Sequence, residues 1–79
     1  MSRHRDYLFD VGRIVKQRAL EAVRERNAAP RGSADREFQA ARALAFNEVI
    51  SIMQQEAAGF GIPLADLQLE DIDPDRDLT

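Results

Sequence analysis

One stretch limits the architecture more than any other. From Ser33 to Phe60 there is no proline and no glycine before Gly59, and the run reads as one helix of about seven turns, roughly 40 Å long. Its apolar residues Phe38, Ala41, Ala45, Val49, Ile52 and Met53 follow at spacings of 3, 4, 4, 3 and 1. Phe46, Ile50 and Ala57 extend one flank, Leu44 lies off the other, and the strictly polar sector is narrow: Arg36, Asn47, Ser51, Gln54 and Gln55. One neighbouring helix cannot cover a set this wide, and a contiguous exposed patch is unusual on a monomer. The surplus residues Leu44, Phe46, Val49, Ile50 and Met53 are therefore the candidate dimer or partner interface.

Upstream, the spacing predicts an amphipathic helix from Asp6 to about Asn27. Tyr7, Leu8, Val11, Ile14, Val15, Ala19, Ala22 and Val23 share one side, and Asp6, Asp10, Arg13, Gln17, Glu21 and Arg24 share the other. Acids in the first turns and Arg24 and Arg26 in the last complement the helix dipole. Arg18 interrupts the apolar arc, either as a side chain lying along the core edge or as the partner of Glu48 or Glu56 on the second helix. Phe9 and Leu20 fall outside the arc. Between the helices, residues 28–32 contain Pro30, which removes a backbone donor, and Gly32, which permits a left-handed turn. Ser33 or Asp35 can cap the second helix, so the two helices are expected as an antiparallel hairpin. Gly59-Phe60-Gly61, with Pro63 just beyond, is a stop signal.

The remaining segment, residues 62–79, sets Leu64, Leu67, Leu69, Ile72 and Leu78 among acids. A tail meant only for solvent has no need of such anchors, so Leu64 to Ile72 at least is expected to pack against the hairpin. Residues 66–79 carry a net charge of −5 against +2 for residues 1–65, which together make the overall −3. Asp71, Asp73, Asp75 and Asp77 alternate like the start of a calcium-binding loop, but Pro74 and Arg76 stand at its fourth and sixth positions, the latter requiring glycine. The acids have two readings. They can be a solvated end that offsets the basic half. Alternatively, Asp66, Glu70, Asp71, Asp73, Asp75 and Asp77 can form a charged comb, with alternate residues of an extended chain about 6.6 Å apart, that enters a groove built for phosphates.

At 79 residues the chain is one domain, 1–79, near the lower limit for a self-sufficient core. It has no cysteine and one histidine, so neither disulfides nor a zinc site are expected to support that core. No cofactor is implied. No apolar run approaches a membrane span and no apolar run follows the basic N-terminus, so a soluble cytoplasmic protein is expected. A two-helix hairpin offers little concavity, and no serine has an obvious activating base, which argues against an enzyme. Arg3, Arg5, Arg13, Lys16, Arg24 and Arg26 could line one side of the first helix, but interleaved acids and a pI near 5.0 disfavour direct nucleic-acid binding.

The expected fold is all-α: a hairpin with an acidic segment packed back on it, paired with a second copy as a homodimeric four-helix bundle. The expected function is non-catalytic protein binding. Ten arginines against one lysine suit a GC-rich bacterial or phage genome, hence an accessory or inhibitory protein of a mobile element. Nucleic-acid mimicry of the kind anti-CRISPR proteins use is the first alternative, and a helical nucleic-acid-binding regulator the second. No motif specific to a named family is present.

Overall fold

The computed structural model describes residues 2–79. All regular structure among them is helical: α1 (Arg3–Ala28), α2 (Ala34–Gly59), a single 3-10 turn (Leu64–Leu67) and the short α3 (Pro74–Asp77). Both long helices are capped by serine. Ser2 accepts from the Arg5 amide at 3.3 Å, which starts α1 at Arg3, three residues before the expected Asp6. Ser33 accepts from the Arg36 amide at 3.1 Å, while its own hydroxyl donates to the Pro30 carbonyl at 2.7 Å. The connection is short, with Gly32 at φ 77°, so α1 and α2 run antiparallel. Arg42 reaches Glu25 at 3.3 Å near the turn, and Leu8 shares a recess with Met53 and Ala57 at the other end.

Small residues set the spacing of the hairpin. Ala19 and Ala22 of α1 and Ala43 and Ala57 of α2 are buried, so the backbones approach closely and leave little room for side-chain bulk between them. The bulk comes from the C-terminal segment. Of the seven residues that form the buried apolar cluster, Leu67, Leu69, Ile72 and Leu78 belong to it, joined by Ala19, Ile50 and Ala57. This segment completes the core of the protein, and it reaches past the expected Ile72 as far as Leu78.

Its path is determined by hydrogen bonding as much as by apolar contact. α2 ends on Gly61 at φ 69°, with Ile62 N–H donating to the Ala57 carbonyl at 2.8 Å and Gly61 N–H to the Ala58 carbonyl at 3.2 Å, the paired bonds of a Schellman cap. The 3-10 turn then crosses α1 at Gly12, where an added Cβ would overlap the Leu67 carbonyl oxygen and lie 2.8 Å from its carbon. Beyond it, the irregular backbone needs donors. The Gln54 amide supplies two, to the carbonyls of Leu69 (3.1 Å) and Ile72 (2.9 Å), and the Asn47 amide one, to that of Pro74 (2.8 Å).

The way α2 is turned is consistent with that demand. The face toward the core is Gln39, Ala43, Phe46, Ile50 and Ala57; of the apolar set Phe38, Ala41, Ala45, Val49, Ile52 and Met53, Met53 packs against the core and the other five are exposed. Asn47 and Gln54 adjoin the core face on the tail side, where they meet the tail carbonyls. On α1, Leu20 joins the core margin and Tyr7 and Ile14 do not. Arg18 pairs with Glu21 of its own helix at 3.8 Å, and the interhelical ion pair is Arg42–Glu25.

Candidate functional site

The hairpin has two broad faces, and the C-terminal segment covers one. At 100° per residue, the positions of α1 that meet the segment (Gly12, Lys16, Leu20) and those of α2 that bond to it (Asn47, Gln54) lie on the same side of the pair. The opposite side is bare. On α2 it carries the stripe Phe38, Ala41, Ala45, Val49 and Ile52, about 130° around the helix from the core face. On α1 it carries Tyr7 and Ile14 together with Arg18, Glu21 and Glu25, whose ion pairs are Arg18–Glu21 and Arg42–Glu25. Phe38 is 61% exposed, Ile52 53%, Tyr7 68% and Phe60, at the end of the stripe, 77%. An apolar recess of about 200 Å³ between Leu8, Met53, Glu56, Ala57, Phe60, Ile62 and Leu67 closes this end of the face.

The five apolar residues singled out from the sequence separate across this boundary. Ile50 is wholly buried in the chain's own core. Phe46 and Met53 are half-buried against that core, and the Arg42 guanidinium lies 5.9 Å from the Phe46 ring centroid. Ile50 is thus removed from the exposed interface by the tail leucines that cover it. Leu44 and Val49 stay exposed, and of the two Val49 belongs to the bare stripe. Phe38, Ala41, Ala45 and Ile52, not placed at the interface by sequence reasoning, make up the rest of the stripe. Their 3, 4, 4, 3 spacing was legible; the direction in which it points was not.

The acids are mostly occupied in holding the tail. Asp71 meets the Lys16 ammonium at 2.9 Å, and Asp66 lies 3.6 Å from the Arg5 guanidinium. Asp73 caps α3, accepting from the Asp75 amide at 3.1 Å. Asp77 receives the Arg76 guanidinium at 2.8 Å and the Asp73 N–H at 2.9 Å. Glu70 and Asp75 carry no ion pair among the described residues. Residues 74–77 form a helical turn, so the regular extended comb that mimicry calls for is replaced by a folded clasp. The basic residues of α1 are also partly neutralised, with Arg5, Lys16 and Arg13 facing Asp66, Asp71 and Asp10.

These pairs make the clasp sensitive to acid. The guanidinium of Arg76, with help from the Asp73 N–H, holds the Asp77 carboxyl down at about 2, and the Lys16 hydrogen bond holds Asp71 below the ordinary carboxylate range. Both groups bind protons less readily in the folded chain than in the unfolded one. Their stabilisation is therefore complete above the usual Asp value of about 3.9 and is lost as pH falls below it, for Asp77 through about 2. A carboxyl titration followed by NMR is expected to place the Asp77 midpoint near 2 and the Asp71 midpoint below the usual value. An ordinary midpoint for Asp71 would mean that its contact with Lys16, which ties the tail to α1, is open in solution.

Among the described residues, no group of three or more His, Cys, Asp or Glu side chains is placed to hold a metal ion, and no helix is long and apolar enough to cross a membrane. No protein-family model matches the chain, and no curated protein or solved structure is significantly similar to it. What the geometry defines is a small helical protein with one face closed by its own tail and the other open, with an apolar stripe along α2.

Proposed function

We propose that this chain is a non-catalytic interaction module that binds another protein through the bare face of its hairpin. One observation carries the reading: α2 keeps Phe38, Val49 and Ile52 in water although the chain has a segment with apolar anchors that could have covered them. Such patches are characteristic of association surfaces. The assembly that accounts for both broad faces is a homodimer, with the hairpins joined through their bare faces as a four-helix bundle and the tails outside. Its composition fits a cytoplasmic accessory or inhibitory protein of a bacterium or phage. Mimicry of nucleic acid is the weaker reading, since it is left with Glu70 and Asp75 as unengaged charges.

Affinity capture from a bacterial lysate, run in parallel with wild type, Ile52→Asp and a Glu70→Gln/Asp75→Asn double variant, tests the reading. A partner is expected to stay with wild type and with the double variant in high salt, where exposed ion pairs are screened, and to be lost with Ile52→Asp. The reverse pattern, salt-sensitive and indifferent to Ile52, would assign function to the acids instead.

A further inference from the structure

The C-terminal segment sits on the hairpin as a bound peptide would. Its 3-10 turn is seated on α1 with the Leu67 carbonyl against Gly12. Gln54 and Asn47 satisfy its backbone carbonyls from α2. Lys16 meets Asp71 at 2.9 Å, and Leu69 and Leu78 are fully buried in one cluster with Ile50. None of these contacts requires the tail and the hairpin to belong to the same molecule. A second copy of the chain carries the same tail, and that tail satisfies the same face equally well.

Only a short hinge makes the docking intramolecular. α2 ends at Gly59 and the 3-10 turn begins at Leu64, so residues 60–63 carry the whole reversal. The chain turns back at Gly61, at φ 69°, where the Gly61 and Ile62 N–H groups donate to the carbonyls of Ala58 and Ala57. A Cβ added at Gly61 would meet nothing within 4 Å, so glycine is required there by the sign of φ alone. Exchange of tails opens this cap and leaves the contacts of residues 67–78 as they are. Short hinge loops under strain are where such exchange arises.

We infer that residues 62–79 are an exchangeable segment and that Gly61 is the hinge that keeps it on its own hairpin. The other occupant of the covered face is the tail of a second copy, the two chains exchanging tails reciprocally. A segment on a short tether has an effective concentration on the order of millimolar, so wild type stays closed at micromolar concentration. A β-branched residue at a positive φ is strained. That strain lowers the effective concentration roughly tenfold or more, which brings exchange to about 100 µM. The exchange uses the covered face and does not depend on what occupies the bare one.

The ion pair between the tail and α1 gives the readout. Lys16 is the single lysine of the chain, and its ammonium lies against Asp71, within reach of a carbodiimide that joins amine and carboxylate as an amide with loss of water. A closed chain forms the Lys16–Asp71 link within one polypeptide, and exchanged chains form it between two. Hairpins joined only through their bare faces keep the link within each chain, so the two kinds of dimer are told apart on a denaturing gel with peptide mapping. At about 100 µM, Gly61→Val is expected to raise the interchain share of this link roughly tenfold over wild type, with helical circular dichroism retained. Gly61→Asn, whose side chain tolerates a positive φ, is expected to behave as wild type. So is Gly59→Val, where φ is not positive and an added Cβ meets nothing within 4 Å. Wild type refolded at about 5 mM, above the effective concentration of the tether, is expected to form the interchain link as well. A Gly61→Val chain that folds with the link only within itself, or that is unfolded while Gly61→Asn folds, would overturn the hinge. Wild type refolded at high concentration with no interchain link would overturn the exchange.

Discussion

Gly12→Ala is expected to destabilise this protein, although the same change at an open helical position would stabilise it by about 1 kcal/mol. The sign is the test. Gly12 lies in the interior of α1, where glycine is a poor choice, and the only feature that explains it is the Leu67 carbonyl seated against its Cα. That obstacle is backbone and cannot rotate aside. Even a methyl group must push the 3-10 turn away from α1. With Gly12→Val the turn is displaced further, and Leu67, Leu69, Ile72 and Leu78 lose their register on the hairpin. A cost of about 3 kcal/mol or more is expected, at the top of the range for overpacked sites. For 79 residues, total stability is on the order of 4–12 kcal/mol, so this loss is a large part of the whole. Urea midpoints of wild type, Gly12→Ala, Gly12→Val and the control Gly59→Ala, where the added methyl meets nothing within 4 Å, would measure it. If Gly12→Ala proved as stable as Gly59→Ala, the tail would not be docked as described.

The second large effect separates two residues that lie two apart on one helix. Ile50→Ala is expected to cost about 2–5 kcal/mol, the range for truncating a wholly buried aliphatic side chain. Ile50→Asp, which buries a carboxylate with no partner, is expected to leave the chain unfolded at room temperature. Ile52→Asp, on the bare stripe, is expected to change the stability of the isolated hairpin by less than about 0.5 kcal/mol. Thermal melts at a concentration low enough to hold the chain monomeric would compare them. Equal losses at both positions would mean that the stripe is already buried in the folded unit. The consequence for interface mapping is direct: loss of partner binding by an Ile50 variant would report unfolding, and Ile52 is the position that reports contact.

Much of this architecture was legible in the chain. Ser33 announced a cap, Pro30 and Gly32 the turn, and Gly59-Phe60-Gly61 the end of α2. All of these depend on local backbone chemistry, which a few neighbouring residues determine. The docking of the tail could be expected from its leucines among acids. The roles of Gly12, Asn47 and Gln54 were not anticipated, because a helical glycine and two surface-type amides acquire meaning only from the stretch of chain laid across them. Gly12 alone carried a signal, an unfavourable residue in the middle of a strong helix.

The candidate face shows the same division more sharply. From sequence, α2 is long, unbroken and apolar over two adjacent arcs, one through Phe38, Ala45 and Ile52 and a flank through Phe46, Ile50 and Ala57. Periodicity does not rank the two. The folded chain does: the tail docks beside Asn47 and Gln54, Ile50 and Ala57 are buried, and Phe38, Ala45 and Ile52 stay exposed. The tail carbonyls of Leu69, Ile72 and Pro74 required donors once out of water, Gln54 and Asn47 stood beside the second arc, and the first arc was left facing solvent.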